Sequence, residues 1–434
     1  MFLLYSILLT VAFVVMSPLF LLRREKYAAG LRERFGILPE FRHDNRSVLW
    51  IHCVSVGEAN AARPLVEEIK KQFPNYRIVV STTTKTGQNL AREIFKNKAE
   101  VVFYFPFDWA FTVRRALDRF KPSIVLLMET ELWFNFIREA SKSGAVVAVV
   151  NGRLSEKSFK NYSLIKKFMR RVLRRVDLAL MQGQADADRI LQLGVHRSKV
   201  KVTGNIKFDQ KFEQSELTEI LWRRFRFSGD SPLIIAASTH APEEKWILEA
   251  FKKVHDDSPQ QFPRLMLVPR HPERFYEVAE LIDNTNFNWV RRSSEETFGD
   301  KLADVILLDS IGELRAALPL AEIVFVGGSL IPHGGQSILE PAVVGKPVIT
   351  GFYTMNFAAV VKEFLAKNAI VQLPEMSGEE TVEKLAQAFT ELLKNAEKRE
   401  ILGANALAVM QENRGATLKT IENLRPFLQV HNTQ

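Results

Sequence analysis

Val326-Gly-Gly-Ser-Leu-Ile-Pro-His-Gly-Gly-Gln-Ser-Ile-Leu-Glu340, followed by Pro-Ala-Val-Val-Gly-Lys-Pro-Val-Ile-Thr-Gly351, is the stretch on which the fold turns. An apolar run from Ile323 to Val326 stops at Gly327-Gly328, as a buried strand entering a tight turn does. Gly334-Gly335 then opens a short helical segment carrying Glu340, and a second apolar run, Pro347 to Thr350, ends at Gly351. Glycines ahead of a helix let backbone N–H groups approach a phosphate. A carboxylate about one turn further in can accept hydrogen bonds from two ribose hydroxyls. The pattern predicts a nucleotide-sugar cradle. A glycine pair alone would suit an ordinary strand-turn-helix-strand unit better; the second pair, Glu340 and the return strand turn the balance to the ligand.

Outward from this stretch, short apolar runs alternate with helix-length amphipathic segments. Strands are expected at 48–54, 77–82, 100–104, 123–128, 145–150, 177–181 and 199–203. A second series is expected at 232–238, 264–269, 304–308, 322–327, 347–350 and 369–372. Such alternation reads as α/β, with parallel sheets covered by helices on both faces. Between the series, 208–231 is polar and strandless and ends in Ser-Gly-Asp-Ser-Pro232, the best domain boundary. The expected division is an anchor at 1–22, a Rossmann-like acceptor domain at 23–210 and a linker at 211–231. A second Rossmann-like, nucleotide-sugar-binding domain follows at 232–410, then a C-terminal helix at 411–434 that packs back on the first domain. The two domains are expected to face each other across a cleft, with ligands at the carboxyl ends of the strands. No Gly-x-Gly-x-x-Gly follows the first strand, and Gly345-Lys346 runs into Pro347, so dinucleotide and P-loop readings lose support.

The chain has 434 residues, 47% apolar and 25% charged, ample for two cores. Its net charge of +9 implies an anionic partner. The single Cys53 cannot form an internal disulfide and sits in an apolar run, as core. Phe2 to Leu22 carries no charge and Arg23-Arg24-Glu25-Lys26 follows at once, which predicts an uncleaved membrane anchor, spanning or shallow, the alternative being a hydrophobic helix docked on the protein's own core. The positive-inside rule then leaves the rest of the chain on the cytoplasmic face. Between Lys157 and Arg175, eight Lys and Arg residues interleave with Phe159, Tyr162, Phe168 and Met169 without an acid, a pattern suited to an anionic membrane surface more than to nucleic acid.

Residues just after strands are the chemical candidates. Ser55-Val-Gly-Glu58 closes the first strand and places a carboxylate where it could take a proton from an acceptor hydroxyl, though helix-start acids are also common for electrostatic reasons. Glu129 and Glu131, in Met128-Glu-Thr-Glu-Leu-Trp133, end the fourth strand with no basic neighbour in sequence. Lys207, in Lys207-Phe-Asp209, could balance phosphate or oxyanion charge. Arg270, in Val268-Pro-Arg-His-Pro-Glu-Arg274, suits phosphate clamping, and Ser310-Ile-Gly-Glu-Leu314 offers backbone contacts at a helix start. Asp186 and Asp188 read as helix caps and not as a metal pair, and His240, His271 and His333 are too scattered for a metal argument.

Taken in order, Ser55–Glu58, Met128–Trp133, Asn151-Gly-Arg-Leu-Ser155, Lys207–Asp209, Ser238-Thr-His240, Val268–Arg274 and Val326–Ser329 resemble the 3-deoxy-D-manno-octulosonic acid (Kdo) transferases of lipopolysaccharide synthesis. These are GT-B glycosyltransferases, and the resemblance runs from the N-terminal apolar run to about residue 425. It implies transfer of Kdo from CMP-Kdo to a lipid A precursor (lipid IVA) at the inner membrane, with inversion and without a cofactor or catalytic metal. On this resemblance Glu58 is the general base, and Glu129 and Lys207 stabilise the transition state. Pro269, Arg270, Ile311, Gly312, Glu313, Ser337, Ile338, Leu339 and Glu340 fall in its CMP-contacting segments. Gln336-Ser337 departs from the His-Asn of some relatives, so a contact made there by Asn is absent. A GT-B nucleotide-sugar epimerase and a non-catalytic membrane-bound nucleotide-sugar binder are the alternatives; neither calls for both a general base and a lipid-facing basic helix.

Overall fold

The structure, a computed structural model, describes residues 1–22, 29–129, 131–225, 231–257 and 262–430. It divides into two compact units, Met1–Asp209 with Asn413–Gln434, and Gln210–Glu412.

The first unit is built on seven parallel strands: β1 (Val48–Cys53), β2 (Arg77–Thr82), β3 (Val101–Tyr104), β4 (Ile124–Met128), β5 (Val146–Gly152), β6 (Leu178–Met181) and β7 (Val200–Val202). Their order across the sheet is β3-β2-β1-β4-β5-β6-β7. Trp50, Val79, Val125 and Leu127 pack on one face, and Leu49, Ile51, Val80 and Leu126 on the other. Both faces are buried, so the strands read as continuous apolar runs and not as alternating ones. The second unit repeats the plan with β8 (Leu233–Thr239), β9 (Arg264–Pro269), β10 (Trp289–Arg291), β11 (Val305–Leu307), β12 (Ile323–Val326), β13 (Val348–Thr350) and β14 (Val371–Gln372). Here the order is β10-β11-β9-β8-β12-β13-β14. The chain crosses from one half of the sheet to the other between β1 and β4 in the first unit and between β8 and β12 in the second, and the strand order reverses there. That reversal opens a crevice beyond the strand ends, the usual ligand position in open α/β sheets. β10 had no counterpart in the expected strands. It is a three-residue, half-buried edge strand, too short and too wet to leave an apolar run.

Eight helices matter below: α1 (Phe2–Leu22), α2 (Val56–Gln72), α3 (Glu156–Leu164), α4 (Lys166–Leu173), α5 (Glu216–Phe225), α6 (Glu243–Asp257), α7 (Leu339–Val343) and α8 (Ala416–Val430). α5 lies where a linker was expected. Its Arg224 is buried, pairs with Asp300 at 2.5 Å and donates to the carbonyls of Arg291, Arg292 and Ser294, so this charged stretch is part of the second unit. Residues 226–230, at the expected boundary, lie outside the described residues. α8 belongs to the first unit: the Asp209 carboxylate accepts from the N–H groups of Gly415 and Thr417 at its start, and Tyr76 donates to the Leu428 carbonyl near its end.

α1 has 21 residues and no charge. Its described side chains run to Ser17, and among the described residues no helix is long and apolar enough to cross a membrane. The basic run expected to orient it, Arg23 to Lys26, lies outside the described residues. One flank of α1 is committed to the first unit. Tyr5 donates to Asp108 at 2.9 Å, Trp109 Nε1 donates to Thr10 Oγ1 at 3.0 Å, and Phe13 packs edge-on against Phe35, Phe107 and Trp109.

Candidate active site

In the first unit the carboxyl ends of β1 and β4 flank the strand-order reversal, and four charged side chains gather there. Glu58 stands three residues after Ser55, the N-cap of α2. Ser55 Oγ accepts the Glu58 N–H at 3.3 Å and donates to Glu58 Oε1 at 3.1 Å, while Glu58 Oε2 accepts the Val54 N–H at 2.7 Å. This is close to a capping box, so Glu58 has a structural task as well. It is nonetheless a buried carboxylate with two donors, and burial, aided by the charges of Glu129 and Glu131, pushes its pKa up to about 8. Burial and Glu129 raise Glu131 likewise.

Glu129 terminates β4 in a left-handed conformation, φ 52°, a costly geometry for a non-glycine residue that persists only where the surroundings impose it. Its carboxylate meets Lys207 Nζ at 2.6 Å. The sequence placed Glu129 and Glu131 without a basic neighbour; the partner comes from 78 residues away, on the turn Ile206–Asp209 after β7. Asn151, also left-handed at φ 54°, anchors that turn by accepting the Ile206 N–H at 3.0 Å. His52, at the end of β1, is no rival base. It is fully buried on Phe105, bonded to Ser81, and desolvation holds its pKa down to about 3.

The second unit builds its site from loops after β8, β9 and β12. Gly327 must lack a side chain, since a Cβ there would lie 2.7 Å from Thr239 Cα and 2.8 Å from the Ser238 carbonyl oxygen. Glu243, at the start of α6 and fully buried, accepts the N–H groups of His240, Gly328, Ser329 and Leu330 at 2.7–3.0 Å. One carboxylate therefore ties the β8 loop to the β12 loop. Glu340, in the first turn of the five-residue α7, has no hydrogen-bond partner among the described residues. Desolvation raises its pKa against the pull of Arg315 and Arg270.

Pro269 ends β9, and Arg270 is exposed beyond it. Glu313 pairs with Arg292 at 2.8 Å, Gly312 has φ 86°, and Ile311 is exposed. Ile338 and Leu339 turn their side chains fully into the core, leaving only backbone to face a ligand. Asp186 accepts the Leu154 N–H and Asp188 accepts from Gln184 Nε2, so neither side chain caps its helix; the N-cap there is Gly183. Among the described residues no three His, Cys, Asp or Glu side chains are arranged to hold a metal.

The description of the 3-deoxy-D-manno-octulosonic-acid transferase (kdotransferase) family matches residues 29–210. A 3-deoxy-D-manno-octulosonic acid transferase of Haemophilus influenzae is 34% identical over 404 residues, covering 93% of this chain and 92% of that one. The chain belongs to the Kdo transferase family. It is a glycosyltransferase. Another Kdo transferase, from Chlamydophila psittaci, is 29% identical; the match covers 98% of this chain and 96% of that one. Among solved structures, a UDP-GlcNAc 2-epimerase from Neisseria meningitidis superposes with TM-score 0.59 at 16% identity over 88% of this chain and all of that one. A glycosyltransferase from Rickettsia africae superposes with TM-score 0.57 at 14% identity, covering 89% and 99%. These two share the GT-B-like fold with this Kdo transferase.

Two features near the candidate sites are absent from the sequence expectations. Glu243 was passed over, although it follows β8 much as Glu58 follows β1. The three histidines dismissed as scattered lie together: His240 is 4.2 Å from His333 and 5.3 Å from His271, ring centre to ring centre.

Proposed function

We propose that this enzyme transfers Kdo from CMP-Kdo to a lipid A precursor of the lipid IVA type, with inversion, and that Glu58 is the general base. The acceptor hydroxyl gives its proton to the Glu58 carboxylate as its oxygen bonds to the anomeric carbon. The bond from that carbon to the phosphate breaks, and its electron pair leaves with CMP. Glu129 opposes the positive charge that develops on the sugar, and Lys207 fixes Glu129 and offers an ammonium to developing oxyanion charge. In the second unit Arg270 and Glu340, with the backbone of 311–313 and 337–339 and the end of β9 at Pro269, receive CMP. The observation that carries this reading is the buried, donor-poor Glu58 beside the Glu129–Lys207 pair: a base poised near neutral pH is what acceptor activation needs. The test is mass spectrometry of a lipid A precursor incubated with freshly generated CMP-Kdo. Added Kdo with the wild type and none with Glu58→Gln supports it; addition by Glu58→Gln at the wild-type rate removes the base from this position.

The reading extends to an anionic membrane on the cytoplasmic face of the inner membrane. Opposite its docked flank, α1 exposes Leu3, Leu4, Leu8, Val11, Val14 and Val15. Phe2 packs on Phe168 of α4, whose outer face carries Lys166, Lys167, Arg170 and Arg171, all exposed. A helix with one flank held against a hydrated domain and an apolar flank outward suits attachment in the plane of the interface. Deleting residues 1–22 is expected to weaken vesicle binding, and changing those four basic residues to Gln to weaken it further. Equal binding of the deletion variant to neutral and anionic vesicles would remove the electrostatic half of this account.

A further inference from the structure

β9, β8 and β12 are adjacent and parallel, so the loops that follow them meet at one edge of the sheet. His271, His240 and His333 arrive there on those three loops. His333 is exposed, His271 is half exposed, and His240 beneath them is 7% exposed. The His240 ring has a fixed polarity. Its Nδ1 lies 3.2 Å from the Ser238 carbonyl oxygen, which can only accept, so Nδ1 carries the proton. The neutral ring then presents a bare lone pair at Nε2, and Nε2 is buried without a partner. A buried polar atom left unanswered calls for a ligand or a water.

The surrounding charges determine which ligand. Burial first, then the imidazoles of His333 and His271, then Arg270, whose N–H bonds the Thr239 carbonyl, disfavour a proton on His240 and hold its pKa down to about 4. The acids nearby are already engaged. Glu243 accepts four N–H groups, Glu273 stands 3.8 Å from His271 and Glu244 is paired with Arg274, while Glu340 feels the charges of Arg315 and Arg270 without a hydrogen bond to either. An incoming oxyanion would supply the negative charge that the cluster lacks, and a protonated Nε2 could donate to it.

We propose that His240, His271, His333 and Arg270 form a proton-coupled oxyanion site, in which binding of the donor's phosphate or sugar carboxylate draws a proton from solvent onto His240 Nε2. This rests on reading the second unit as the nucleotide-sugar-binding one. Phosphate and carboxylate share the required chemistry, and each can be supplied separately.

The experiment is calorimetric titration of the full chain at pH 6.5 with the methyl ester of CMP, a phosphodiester with no proton of its own to exchange near neutrality, and with free Kdo. Each titration is run in two buffers of different ionisation enthalpy. Proton uptake with the ester assigns the phosphate; uptake with Kdo alone assigns the carboxylate. Where uptake occurs, affinity falls as pH rises, by up to about tenfold per pH unit for one proton. His240→Gln should bind more weakly and without uptake. His333→Asn, at an exposed position, provides a second variant should His240→Gln not fold: with one opposing imidazole removed, the fall in affinity moves to higher pH. Binding of both ligands with equal heats in both buffers overturns the proposal and leaves the nucleotide reading intact. Failure of the ester and Kdo to bind at all overturns both.

Discussion

Glu58 and Glu243 occupy matching places, each on the helix that follows the first strand of its unit, and each is buried. They differ in what surrounds the carboxylate. Glu243 is wrapped by four backbone N–H groups from two loops. Glu58 has one N–H and one hydroxyl, with Glu129 and Glu131 as like-charged neighbours. A fully satisfied carboxylate holds loops in place. A buried one with spare lone pairs and like charges beside it is kept ready to take a proton.

The largest expected effect is on Glu58→Gln. Single-turnover transfer should fall by about 10²–10⁴-fold while CMP binding persists. The same variant should change the pH dependence of stability. Because the folded-state pKa is raised from 4.5 to about 8, the contribution of Glu58 to stability is fully present below the lower value and is lost as pH rises toward the upper one. With a glutamine side chain there, which does not titrate, the slope of denaturation midpoints from pH 4.5 to 8 should become shallower, the buried Asp108 supplying part of what remains; an unchanged slope would mean that Glu58 ionises normally.

Glu243→Gln should act in the opposite sense, on stability first. One amide oxygen cannot accept all four N–H groups, and its NH2 would face donors, so a loss of about 2–4 kcal/mol is expected in urea unfolding. A loss below about 0.5 kcal/mol would show that the two loops hold each other without it.

Glu340 tests whether donor-poor carboxylates mark ligand contacts in both units. Glu340→Ala removes no hydrogen bond from the described fold, so stability should hold while CMP affinity drops by roughly ten- to a hundredfold. Calorimetry giving wild-type affinity would move the nucleotide away from α7.

The smallest change expected is for Glu131→Gln. Loss of a like charge lowers the Glu58 pKa, so the rise of transfer with pH should begin at lower pH, with up to about tenfold more activity at pH 6.5. A profile unmoved by the substitution would place Glu131 outside the electrostatic reach of the base.

Most of the strands were legible because β1, β4, β9 and β12 are buried on both faces, and a segment with no wet face must be apolar throughout. Edge strand β10 was not, and the charged α5 looked like a linker because the reason for its charge, a buried Arg224 meeting Asp300, lies 76 residues away. At the candidate sites, Glu58 and Lys207 stood out because each follows a strand end, and Glu340 because a glycine pair opens the helix that carries it. That Lys207 meets Glu129 was not legible, since strand order is not chain order.

The sequence by itself determined two α/β units, their strands and the candidate residues at the strand ends, because burial periodicity and turn chemistry are local. Only the tertiary structure decided that Lys207 answers Glu129, that Glu243 braces a loop while Glu58 is left short of donors, and that three distant histidines converge. Hydrogen-bond satisfaction and electrostatic coupling act through space between residues that parallel strands deliver to the same edge of a sheet, and no spacing along the chain encodes that adjacency.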